Sequence, residues 1–159
     1  LSFTAEEAFA IFSPNEVGSI FAETFEPLPE VKGADALLAK WARIRAVRAD
    51  LQKTIEEQRE KNALGSSLQA NARIEAAGEL YDDLASLGDE LRFVMIVSAV
   101  ELAKSADAET HLMVSVSTEQ KCARCWHYVP GVGSNAEHPT LCPRCVSNLF
   151  GSGEKRLFA

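Results

Sequence analysis

"KCARCWHYVPGVGSNAEHPTLCPRCVSN", residues 121–148, holds every cysteine of this 159-residue chain. They fall as two pairs, Cys122/Cys125 and Cys142/Cys145, spaced C-x2-C-x16-C-x2-C. Two residues between cysteines let one tight turn aim both sulfurs at a single point. Two such turns complete a tetrahedral four-thiolate site with Zn–S distances of about 2.3 Å. Pro130, Gly131, Gly133, Asn135 and Pro139 lie between the pairs, the composition of a turn-rich β-hairpin. Four sulfurs leave no open coordination position, so the zinc expected here is structural. A disulfide framework and a thioredoxin-type redox pair compete with this reading. Disulfides are rare in the cytosol, and a redox pair calls for one Cys-x-x-Cys in a βαβ setting. The segment from 118 onward has few large apolar side chains, so metal binding is expected to supply its folding energy.

Around this segment the chain is ordinary in composition, 47% hydrophobic and 25% charged, with a net charge of −7. That charge argues against a protein that coats nucleic acid generally, and leaves room for a local basic site. The start, "LSFTAEEAFAIF", lacks the basic and long apolar regions of a signal peptide. The longest mainly apolar run, "LRFVMIVSAVEL" (91–102), is shorter than the about 20 residues that span a bilayer. The expectation is a soluble, cytoplasmic protein. Without an initiator Met, and with Thr4 and Glu7 placed as a capping box, the chain reads as a piece of a longer one.

The spacing predicts a short helix at 5–12, broken by Ser13-Pro14-Asn15, then the extended, Pro-punctuated connector "ETFEPLPE". A long helix follows at 34–61, with Leu37, Leu38, Trp41, Ile44, Leu51 and Ile55 as one apolar stripe. Lys40, Arg43, Arg45, Arg48 and Lys53 load its first half with positive charge, read first as a solvated face and alternatively as a phosphate-contacting helix. "NALGSS" (62–67) is a loop. "NARIEAA" alternates as a strand, with Ala72, Ile74 and Ala76 on one face. Leu80, Leu84 and Leu87 mark a helix at 78–87. "RFVMIVSAV" (92–100) reads as a buried strand, and "HLMVSVS" (111–117) as another with Leu112, Val114 and Val116 inward. The fold class is α+β: a helical segment with one long helix, a small α/β unit and a C-terminal zinc ribbon.

From residue 118 the charge balance turns basic, five positive side chains against three negative. Arg124 and Trp126 flank Cys125. An indole beside a zinc knuckle with little core is a candidate to stack on an unpaired base, and arginine to grip phosphate or a guanine edge. Alternatively Trp126 packs on the zinc loop and Arg124 is solvated. Lys155 and Arg156 are candidate phosphate contacts. His127 and His138 are not needed as ligands and are minor candidates to touch RNA.

"KCARCWHY", "LCPRCVSN" and the ending "GSGEKRLFA" resemble the C-terminal end of bacterial isoleucyl-tRNA synthetases. "LSFTAEEAF", "LGSSLQA" and "LGDELRFV" are also similar to that family, so the resemblance runs along essentially the whole chain. It implies the end of an α-helical anticodon-binding domain at 1–63, a small α/β unit at 64–117 and a zinc ribbon at 118–159. The zinc ligands implied are Cys122, Cys125, Cys142 and Cys145. The knuckle with Arg124 and Trp126 would face the anticodon arm of isoleucine tRNA, with Lys155 and Arg156 toward the RNA backbone. The implied partners are that tRNA and the other domains of the parent enzyme, with no membrane. The parent would charge its tRNA with isoleucine using ATP and Mg2+. The ATP-binding signatures of that family are absent from this sequence, no residue has a catalytic role, and the chain is not expected to aminoacylate alone. Two rivals remain: the zinc finger of a formamidopyrimidine-type DNA glycosylase, which has the same cysteine spacing, and a purely structural zinc module that docks on protein.

Overall fold

The computed structural model describes residues 1–14 and 18–158, so Asn15 of the expected helix break lies outside the described residues. The chain divides into two compact units, Leu1–Ala34 and Asp35–Ala159.

In the first unit, helix α1 spans Ser2–Phe12, followed by a 3-10 turn at Ile20–Ala22. The helix starts earlier than expected: Leu1 is its cap and Thr4 lies inside it, so the Thr4/Glu7 capping box does not form. Glu6 instead reaches forward, accepting from the Ser19 hydroxyl at 2.8 Å and the Ile20 N–H at 3.2 Å. Residues 23–30, which include Pro27 and Pro29, form neither helix nor strand. Phe3, Phe12, Phe25 and Leu28 are each more than 85% exposed.

The second unit is built on α2 (Ala34–Glu60) and a three-stranded sheet. Strand β1 (Ala70–Ala76) lies in the middle. Strand β2 (Ala99–Lys104) pairs with it in parallel, Asn71 opposite Ala99, and β3 (His111–Val116) pairs antiparallel, Ala70 opposite Val116. Parallel neighbours need a long crossover. Residues 77–98 supply it through α3 (Gly78–Ala85), a 3-10 turn at Gly88–Glu90 and α4 (Leu91–Met95).

This corrects the expectation of a strand at 92–100. A short apolar run does not distinguish a buried strand from a buried helix, and here its first half is helix. The chain leaves α4 through Ile96, whose φ of +56° ends the helix in the left-handed conformation. Residues 99–104, which alternation did not single out, then form β2.

The core joins α2 to the sheet. Ile44, Val47, Leu51 and Ile55 recur at three- and four-residue steps and meet Ala70, Ala72, Ile74 and Ala76 of β1, with Leu84, Leu87, Leu91 and Met95 closing the sides. The stripe is shifted from the expected one: Leu37 and Leu38 are 50% and 59% exposed, and Val47 is buried. Val116, expected inward, is 44% exposed at the end of its edge strand. Arg43 bonds Glu79 and Asp83 of α3, both at 2.7 Å, and Lys40 bonds Ser86. Two of the six basic residues of α2 therefore clasp a neighbouring helix. Leu51, with no exposed surface, is central to this contact. Leu51→Ala is expected to destabilise the unit by about 2–5 kcal/mol in urea unfolding, with an unchanged m-value.

Candidate metal centre and its surroundings

The four cysteine sulfurs lie within 4.8 Å of one another, and Cys122, Cys142 and Cys145 are buried. A tetrahedron with Zn–S near 2.3 Å has an S···S edge of about 3.8 Å. Cys125 and Cys142 are 3.8 Å apart. All four cysteines are free rather than disulfide-bonded. Distance, number and chemistry of the donors fit one zinc ion with no place for water. Apart from the cysteines, the local core consists of Val129, Val132 and Leu141, partly buried.

The two knuckles are built differently. In the first, Trp126 N–H donates to Cys122 carbonyl at 2.9 Å and Cys122 N–H to His127 carbonyl at 2.9 Å, closing a turn in which Trp126 has a φ of +64°. In the second, Cys142 caps helix α5 (Pro143–Phe150) and Cys145 sits in its first turn. The matched tight turns expected from the spacing are thus a turn and a helix N-terminus. Pro143, pre-set for a first helical position, was the available signal for α5. Between the knuckles the chain runs as turns, not the expected β-hairpin. A single isolated bridge, Lys121 to Tyr128, spans the first knuckle. Gly133 is required there: its φ is +84°, and a Cβ would lie 3.0 Å from the Pro139 carbonyl oxygen.

Burial raises the pKa of Cys122, but N–H groups of Cys125, Cys142 and Arg124 outweigh it and lower it to about 6. The Cys142 N–H lies 3.3 Å from this sulfur. Burial pushes Cys145 up to about 12 and also raises Cys142.

The zinc segment is anchored on the α/β unit at two places. The buried Ser98 hydroxyl accepts from Tyr128 N–H at 2.7 Å and donates to the Leu68 carbonyl. Around Phe93 of α4, the guanidiniums of Arg92, Arg144 and Arg156 lie 4.7, 5.0 and 4.1 Å from the ring centroid, and His127 meets its edge at 5.5 Å. Glu154 accepts from Arg144, Asn148 and Arg156, and Glu90 accepts from Leu157 N–H and Phe158 N–H, both at 2.6 Å.

Of the candidate RNA contacts, Trp126 is 60% exposed, with Lys121 Nζ 5.7 Å from its ring. Arg124 is exposed and directs Nη1 to the Cys145 sulfur at 3.8 Å. Lys155 is exposed, whereas Arg156 is engaged by Glu154 and Phe93. The two histidines are used in packing. His127 is half-buried, with Nδ1 3.1 Å from the Cys125 carbonyl oxygen. Burial lowers its pKa, and Arg144, Arg92 and Arg156 reinforce that against the Cys125 bond, so it is neutral at neutral pH. His138 stacks on Phe150 at 3.9 Å. Lys121 and Arg144 were overlooked as contributors; both were visible only as two of several charges in the tail.

Residues 119–148 match the family described as "Zinc finger found in FPG and IleRS". That sets the class: a protein carrying a zinc finger of this type. The rest of the chain is as informative. An isoleucine–tRNA ligase of Paraburkholderia xenovorans (strain LB400) is 55% identical over 157 residues, covering 98% of this chain and 16% of the relative. That of Paraburkholderia phytofirmans is also 55% identical, and isoleucine–tRNA ligase 1 of Burkholderia mallei 53%, with the same coverage. Along nearly its whole length the chain is similar to isoleucine–tRNA ligases, and it spans 16% of the length of the relatives it matches. Among the described residues no helix is long and apolar enough to cross a membrane.

Two outcomes are expected. Removing zinc with a chelator unfolds residues 118–158 while the α2–sheet core persists, read by hydrogen exchange as lost protection in α5 and retained protection in β1. Zinc uptake at pH 7 expels at least the protons of Cys142 and Cys145, since groups with raised pKa values enter the site protonated and leave it as thiolates. Calorimetry in buffers of different ionisation enthalpy counts them.

Proposed function

We propose that this chain is the C-terminal, anticodon-arm-binding region of an isoleucine–tRNA ligase. In this reading residues 1–63 end the helical anticodon-binding domain, 64–117 form a linking α/β unit and 118–159 a zinc ribbon. Cys122, Cys125, Cys142 and Cys145 hold one structural zinc. The parent enzyme charges isoleucine tRNA with isoleucine using ATP and Mg2+ in the cytoplasm. This region supplies RNA affinity and no catalytic group.

The observation that carries the reading is the first knuckle. It presents an indole 60% exposed, on a backbone fixed by two hydrogen bonds, with a lysine above it. An exposed aromatic beside cations is what an unpaired base and its phosphate require. Arg124 keeps further guanidinium donors beyond the one aimed at Cys145, and Lys155 adds a cation at the end of the chain. Arg156 is the second candidate for the RNA backbone, though its contacts with Glu154 and Phe93 make Lys155 the more available group. The glycosylase reading accounts for the zinc finger alone, whereas the ligase reading accounts for 98% of the chain.

The test is a low-salt titration of the zinc-loaded chain with the anticodon stem–loop of isoleucine tRNA and with an abasic DNA duplex. Preference for the stem–loop, falling steeply with added salt, is expected. Preference for the duplex would overturn the reading. Trp126→Ala is expected to weaken stem–loop binding by about 1–3 kcal/mol; an unchanged Kd would return this side chain to a packing role.

A further inference from the structure

Phe93 of α4 draws three arginines to one ring, with the guanidiniums of Arg92, Arg144 and Arg156 at 4.7, 5.0 and 4.1 Å from its centroid. Like charges gathered this closely repel one another and call for anions nearby. Glu154 serves two of them, bonding Arg144 at 2.7 Å and Arg156 at 2.9 Å. Arg92 has no ion pair among the described residues, and its Nε–H is buried without a hydrogen-bond partner. His127, which meets the edge of the same ring, holds a second such atom. Its Nδ1 lies 3.1 Å from the Cys125 carbonyl oxygen, and its buried Nε2 has no partner. Buried polar atoms left unpaired are costly, so two beside one ring ask for an occupant.

Both residues line one cavity of about 200 Å3 between α4 and the zinc segment. Arg144 joins them, and Val129, Pro130 and Pro143 give the cavity apolar walls. Of the four cysteines only Cys125 and Cys142 reach it, so it lies beside the metal centre and not within it. A water takes up only about 30 Å3 and offers no charge to Arg92. A fitting occupant brings an anionic acceptor for Arg92, a hydrogen-bonding group for Nε2 and an apolar body for the prolines. A ribose–phosphate unit brings all three, in its phosphate oxygens, its 2′-hydroxyl and the carbon frame of the sugar. Because the hydroxyl both donates and accepts, the match holds in either protonation form of the imidazole.

We propose that this cavity binds one ribose–phosphate unit of an RNA strand, with Arg92 donating to a phosphate oxygen and His127 Nε2 bonded to the 2′-hydroxyl. The proposal rests on the RNA-binding reading and adds to it a means of telling RNA from DNA, which lacks that hydroxyl. It places a backbone contact on the one guanidinium of the three that no carboxylate engages.

The test titrates the zinc-loaded chain with the anticodon stem–loop of isoleucine tRNA and with copies that each carry a single 2′-deoxy sugar. At least one position is expected to lose about 3–10-fold in affinity, the effect of one net hydrogen bond. His127→Asn keeps a donor near the Cys125 carbonyl and removes Nε2, so in that variant the same sugar change should have no further effect. Arg92→Gln should weaken binding about 10-fold. It should also reduce the slope of log K against log salt by about 0.7–0.9, the signature of one lost phosphate contact. Zinc content checks that each variant is folded, and the deoxy scan needs no variant at all.

Tight binding that is indifferent to every deoxy sugar would overturn the inference and leave the RNA reading standing. So would a deoxy penalty that persists in full in His127→Asn, or an unchanged Kd and salt slope in Arg92→Gln. A stem–loop that does not bind overturns the RNA reading, and this inference with it. A free ribonucleoside monophosphate is the remaining probe. If it shifts the Arg92 Nε–H resonance at lower concentration than the stem–loop does, the site serves a nucleotide and the assignment to a strand falls.

Discussion

The structure hangs on one strand. β1 is hydrogen-bonded along both edges, to β2 on one side and β3 on the other, and its inner face is buried against α2. Three of its four buried residues, Ala70, Ala72 and Ala76, are alanines. Small side chains let the larger Ile44, Val47, Leu51 and Ile55 of α2 fill the space above the sheet without overpacking. The same strand fixes the crossover, because a parallel β2 obliges residues 77–98 to pass over the face where α3 and α4 complete the core.

The zinc segment obeys another constraint. Its interior is chiefly sulfur, so its local fold depends on convergence of four thiolates rather than on apolar burial. It stays in place through polar joints. Ser98 carries the Tyr128 N–H to the Leu68 carbonyl, and Phe93 gathers three guanidiniums, two of which, Arg144 and Arg156, pair with Glu154. Such joints are directional and set an orientation, where an oily interface would tolerate sliding.

Legibility in the sequence followed the physics of each element. Periodicity exposed α2 and β1, because each buries one face and its pattern is strict. The metal centre was legible because sulfur spacing is a geometric requirement. The run from Arg92 to Val100 was misread because a short apolar run reads equally as strand or helix, and here Val94 and Met95 lie in a helix with Val97 buried beyond it. Helix α5 was missed because cysteines 142 and 145 satisfied a turn pattern that Pro143 equally marks as a helix start. The arginines of the two knuckles were counted as charges. Only the three-dimensional arrangement shows Arg124 directed at the Cys145 sulfur and Arg144 at Glu154 and Phe93.

Trp126 illustrates a tension within the first knuckle. Its φ of +64° places a bulky residue where glycine would sit at lower cost, by roughly 1–2 kcal/mol. Glycine at this position would relax the backbone and leave the knuckle without its exposed ring. The knuckle therefore sits away from its own conformational optimum, and the difference is stored as preorganisation of the indole. On backbone stability alone the smaller residue would be favoured here, so the exposed ring is held at a conformational cost.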